Sequence, residues 1–96
     1  MASEDFTEPV TVPITDVLDL HTFLPREVPD LIDAYLTACM DEGISRVRII
    51  HGKGLGILKK RVAHILEKHP LVAAWAQAPA QAGGWGAVIV DLKIGK

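Results

Sequence analysis

Val28, Leu31, Ile32, Tyr35, Leu36, Cys39 and Met40 recur at the spacing of a single helix face. This apolar stripe stands between two runs of strand character. In residues 16–21, Leu18 and Leu20 alternate with Asp19 and His21, so the two sets emerge on opposite faces of an extended chain. Residues 45–50 form a β-branched run bounded by glycines. A connection containing a whole helix is too long for a hairpin, which leaves parallel strands joined by a right-handed crossover. Gly43 supplies the helix stop, and Pro29 delays its regular start to about Val28.

The pattern then repeats with a different ending. Leu58, Val62, Ile65, Leu66 and His69 line one side of a second helix, Lys59, Lys60, Arg61, His64 and Lys68 line the other, and Pro70 ends it. Residues 72–76 and 86–92 read as two further strands around a glycine-rich turn. The expected order is βαβαββ, an α/β two-layer sandwich with a mixed four-stranded sheet and both helices on one face. Residues 14–96 make one domain, and residues 1–13, with Pro9 and Pro13, read as an extended arm. The uncovered sheet face is left for solvent, for the arm or for self-association.

Composition removes several function classes. Cys39 is the single thiol, which excludes an intramolecular disulfide framework and a cysteine zinc cage and favours a reducing, cytoplasmic setting. Glu4, Asp5 and Glu8 stand near the start without a cation, unlike a secretory leader. Residues 71–90 carry no charge, but Gln77, Pro79, Gln81 and the Gly83-Gly84 pair break them into strand, turn and strand, so no membrane span is expected. The net charge of −2 conceals an asymmetry: residues 1–42 hold ten acids against Arg26, whereas residues 43–96 hold nine Lys and Arg against Glu67 and Asp91. A basic half of this kind concentrates polyanions.

Three segments meet at the carboxyl ends of the first two strands, where sites in open α/β sheets form. They are LDLHT with Asp19 and His21, the loop HGKGLG at residues 51–56, and GGWG at residues 83–86. Gly52, Gly54 and Gly56 permit close backbone approach to a ligand, the following helix offers unpaired N–H groups to an anion, and Lys53 adds charge. Lys59, Lys60 and Arg61 extend that cradle along a polyanion. The spacing matches neither a Walker loop nor GxGxxG, so a phosphodiester backbone is the better candidate anion.

Asp19 and His21 share a strand face, and His51 is expected within reach of both. A carboxylate and two imidazoles beside an anion cradle can deprotonate a nucleophile and protonate a leaving oxygen. The same donors are also the set for a divalent metal such as magnesium or manganese that activates water. Trp85, in its glycine-rich turn, is placed either to stack on a base or to pack on a neighbouring loop. Cys39 and Trp75 read as core.

LDLHT, IIHGKGLGILK and GGWGAVIV, in this order and covering residues 16–93, resemble the Smr (small MutS-related) domain. The resemblance implies a fold similar to the C-terminal domain of translation initiation factor three, with DNA or RNA as partner and endonuclease activity in many members. It implies catalytic roles for Asp19 and His21 with His51 alongside, and phosphate binding by Gly52, Lys53, Gly54 and Gly56. Gly83, Gly84 and Gly86 match the last motif. Thr22 stands where the family has glycine, and Val88 where it has threonine. An endonuclease is the leading expectation, and a non-catalytic DNA- or RNA-binding module the alternative.

Overall fold

The alternating segment around Leu18 forms a short strand, β1 (Val17–Asp19), in a computed structural model that describes residues 15–52 and 56–93. The expected arm at residues 1–13 lies outside the described residues. A 3-10 turn at Pro25–Glu27 leads into α1 (Val28–Glu42), which begins with Pro29 in its first turn, where no ladder bond is lost. Gly43, left-handed at φ 77°, ends it and donates back to the carbonyls of Cys39 and Met40.

After α1 come β2 (Arg46–Ile50), α2 (Ile57–Lys68), β3 (Val72–Gln77) and β4 (Ala87–Leu92). The sheet order is β1-β2-β4-β3. β1 and β2 are parallel, and β4 is antiparallel to both of its neighbours. β3 therefore runs in the same sense as β1 and β2. The segment ahead of β4 is thereby delivered to the end of the sheet where β1 and β2 finish, since Ile50 pairs with Ala87. That segment is more than a tight hairpin: it holds two 3-10 turns, at Ala80–Ala82 and Gly84–Gly86.

The core lies between one sheet face and the two helices. Leu20, Val47, Ile49, Val88, Val90 and Leu92 pack with Val28, Ile32, Leu36 and Cys39 of α1 and with Val62 and Leu66 of α2. Each such aliphatic side chain gains about 1.5–3 kcal/mol from burial. Val88 is in register with Ile49 and 3% exposed, so its side chain fills the core. The opposite face carries Arg46, paired with Asp91 at 2.6 Å, and Arg48, which donates to the Ala82 carbonyl at 3.1 Å. Among the described residues, no helix is long and apolar enough to cross a membrane.

His69 closes the helical layer. Its Nδ1 accepts from the Leu71 N–H at 3.1 Å, so its Nε2 carries the proton donated to Asp33 of α1 at 2.9 Å. The side chain is 7% exposed. His69→Ala strands a partly buried N–H and removes both bonds, and is expected to cost about 1–3 kcal/mol in urea unfolding, against little change for Asp33→Asn.

Candidate active site

β1 stops at Asp19, and the chain turns back on it. The Asp19 carboxylate oxygen Oδ1 accepts from the His21 backbone N–H at 3.0 Å and meets His21 Nδ1 at 2.7 Å. A carboxylate that accepts a backbone bond two residues on stabilises a local turn, so the pair is made by turn geometry rather than by a shared strand face. Both groups are open to solvent, with side-chain exposures of 67% for His21 and 46% for Asp19. The His21 backbone bond is the main cause holding the Asp19 carboxyl below its ordinary range, helped by the imidazole contact. Asp19 is therefore an anion that accepts a proton from Nδ1, and in the neutral ring this leaves the lone pair on His21 Nε2.

His51 does not join them. Asp19 is in register with Ile50, and the next residue of a pleated strand points the other way. His51 follows Val47 and Ile49 onto the core side and is 5% exposed. Its Nδ1 lies 2.8 Å from the Gly52 carbonyl, which can only accept, so Nδ1 holds the proton. Its Nε2 is buried and has no partner among the described residues. Asp19 and His21 thus meet at the surface, and His51 is buried on the core side of the sheet, where it shares no hydrogen bond with them among the described residues. Among the described residues, no group of three or more His, Cys, Asp or Glu side chains is placed to hold a metal ion.

Burial is the chief cause pushing the His51 imidazole below its usual value, and the Lys59 ammonium adds to it. Folding thus holds His51 neutral, whereas in the unfolded chain it gains a proton as pH falls through about 6.5. The contribution is complete above that value and shrinks as pH drops toward the lower native pKa. Thermal unfolding of wild type is expected to lose stability more steeply between pH 7.5 and 5 than unfolding of His51→Gln. Parallel profiles would contradict this.

Of the remaining predicted residues, Gly52, Gly56 and Lys59 line one cavity with the buried imidazole. The His51 and Gly52 N–H groups both donate to the Gly86 carbonyl, at 2.8 and 3.0 Å, and this joins the end of β2 to the GGWG segment. Gly56, at φ 85°, caps α2, and its carbonyl accepts the first helical bond from Lys60. Pro25, His51, Gly52, Gly56, Ile57, Leu58 and Lys59 line a cavity of about 270 Å³. Lys53 and Gly54 lie outside the described residues. Lys59 Nζ sits 4.8 Å from the centroid of the Trp85 ring, and Trp85 is 65% exposed. Lys60 and Arg61 are exposed, and none of the ion pairs among the described residues involves them.

Gly83, Gly84 and Gly86 are explained by the loop itself: the first two have positive φ, and the third is buried. The sequence reading missed the Lys59–Trp85 stack and the apolar rim. Phe23, Leu24, Ile57 and Trp85, the exposed large hydrophobic residues among the described residues, all belong to segments at this end of the sheet. Aromatic and branched residues standing in polar loops were the available signal.

A two-layer α/β sandwich with an exposed carboxylate–imidazole pair and a basic helix start at one sheet edge defines the class. The Smr domain model matches residues 18–93, and the chain belongs to that family. It is 44% identical over 75 residues to endonuclease MutS2 of Helicobacter pylori, covering 78% of this chain and 10% of that protein. It is 40% identical over 77 residues to ribosome rescue factor SmrB of Photobacterium profundum, covering 80% of this chain and 44% of that one. The chain therefore spans about a tenth and under half of these two relatives. The crystal structure of the Smr domain of Thermus thermophilus MutS2 superposes with a TM-score of 0.78 at 30% identity, covering 82% of this chain and 99% of that one.

Proposed function

We propose that this chain is an endonuclease that cuts phosphodiester bonds of DNA or RNA in the cytoplasm, with Asp19 and His21 as its catalytic pair. The observation that carries the reading is the 2.7 Å contact between Asp19 Oδ1 and His21 Nδ1 at an open sheet edge. His21 Nε2 takes a proton from the attacking water or hydroxyl, a new P–O bond forms, and the imidazolium returns the proton to the oxygen that leaves. Asp19 fixes the ring and offsets its transient charge. The N–H groups at the start of α2, with Lys59, Lys60 and Arg61, hold the phosphate backbone. One relative is an endonuclease and another a ribosome rescue factor, which supports nucleic acid as the substrate class.

The test is incubation of pure protein with supercoiled plasmid and with single-stranded RNA, with and without chelator. Nicked plasmid or shortened RNA is expected, and intact substrates in every lane overturn the reading. The alternative, a binding module without catalysis, is favoured by the Lys59–Trp85 stack alone. On either reading Trp85 stacks on an unpaired base. Trp85→Ala is expected to weaken single-strand binding by about 1–3 kcal/mol, measured by fluorescence anisotropy. Charge reversal at Lys60 and Arg61 is expected to reduce the salt dependence of that binding.

A further inference from the structure

We propose that Arg48 is a positioning residue for the nucleic-acid site, holding from the open face of the sheet the loop that presents Trp85; this rests on the reading above that Trp85 stacks on an unpaired base. Arg48 lies in β2 between Val17 of β1 and Ile89 of β4. Val47 and Ile49 on either side of it are buried in the core, so its own side chain leaves by the opposite face. On that face Arg46 pairs with Asp91, whereas none of the ion pairs among the described residues involves Arg48. Its Nη1 donates instead to the Ala82 carbonyl at 3.1 Å. The charge on the donor makes this bond stronger than one between neutral groups.

That carbonyl needs a donor the loop does not supply. The N–H groups of Ala82 and Gly84 donate to Pro79, that of Gly83 to Ala80 and that of Gly86 to Gly83. No backbone N–H among the described residues reaches the Ala82 oxygen. The oxygen belongs to the peptide that enters Gly83, at φ 114°, and Gly84, at φ 52°, and Trp85 is the next residue. Orienting this peptide therefore sets the direction in which the chain turns toward the indole. From the other face of the sheet, α2 brings Lys59 Nζ to 4.8 Å from the centroid of the Trp85 ring. The indole is 65% exposed, so packing alone does not fix it. Its place depends on the loop backbone that Arg48 holds and on the ammonium that it meets.

The experiment compares Arg48→Met, which keeps the aliphatic stem and removes every donor, with Arg48→Lys, which keeps one charged donor. The full chain carries ¹⁵N-labelled tryptophan, and the Trp85 indole resonance is identified by its absence from Trp85→Ala. In Arg48→Met this resonance is expected to move, and a fluorescein-labelled six-nucleotide oligouridylate to bind about twofold to tenfold more weakly, the worth of one hydrogen bond. Arg48→Lys is expected to regain most of both. Added to Trp85→Ala, Arg48→Met should cause no further loss. It should also leave the salt dependence of binding unchanged, because Arg48 acts on the loop and not on a phosphate. A Trp85 resonance that stays in place in Arg48→Met overturns the proposal. An additive loss in the double variant or a weaker salt dependence overturns it as well, since either makes Arg48 a direct contact. If Arg48→Met fails to fold, Arg48→Gln replaces it with the same expectations. Failure of the oligouridylate to bind wild type overturns the nucleic-acid reading, while the indole resonance still judges the role of Arg48.

Discussion

His21→Ala is expected to lower strand cleavage by about 10²- to 10⁴-fold, the range for loss of a positioned general base, while binding stays close to wild type. The separation of effects follows from where the residue sits. His21 is 67% exposed in a turn, its one side-chain partner among the described residues is Asp19, and it is not part of the core cluster, so its removal is expected to leave the fold intact. The groups proposed above to hold phosphate lie on α2, apart from His21. Asp19→Ala should reproduce the defect, because the ring then loses the acceptor that keeps its proton on Nδ1. Cleavage of labelled RNA and plasmid, measured beside anisotropy binding on the same samples, checks both. A variant that binds normally and cuts at the wild-type rate would remove His21 from the chemistry.

Gly83→Val should have the largest effect on folding, about 2–5 kcal/mol by urea unfolding, from backbone strain and overpacking together. Gly83 has φ 114°, which L side chains rarely adopt, and a Cβ placed there would stand 2.9 Å from Ala87 Cβ. Both causes act at the first residue of the segment that presents Trp85 and the Gly86 carbonyl. The variant should therefore also lose the Lys59–Trp85 stack, read as a shift in indole fluorescence. Stability within about 0.5 kcal/mol of wild type, the scale of an ordinary surface substitution, would show that the loop absorbs a side chain and that its glycines are not required by its shape.

The elements and their ends were legible because period and punctuation are local properties. The stripe from Val28 to Met40 fixed α1, Pro29 and Gly43 marked its limits, and Val88, Val90 and Leu92 marked the buried side of β4. Convergence of LDLHT, the loop after β2 and GGWG also followed from chain direction alone. The face on which His51 falls depends on its place in the alternation of β2, which the expectation of a shared site did not use. The parity was present all the same: His51 continues Val47 and Ile49, both core residues, whereas Asp19 alternates with Leu18 and Leu20. The Asp19–His21 contact was anticipated on a strand and is made by a turn, because β1 ends at Asp19, two residues before the end its alternation suggested. The stack of Lys59 on Trp85 joins segments that share no sequence pattern, and nothing local announces it.

The central claim is that a surface carboxylate holds one imidazole in a single tautomer with its outer nitrogen free to take a proton. Long-range ¹H–¹⁵N spectra of the histidine rings, recorded at alkaline pH where imidazoles are neutral, test it most directly. His21 should show a protonated Nδ1 and an unprotonated Nε2, and the distinction should disappear in Asp19→Ala. A His21 ring protonated on Nε2, or one averaging between both forms in wild type, would contradict the account.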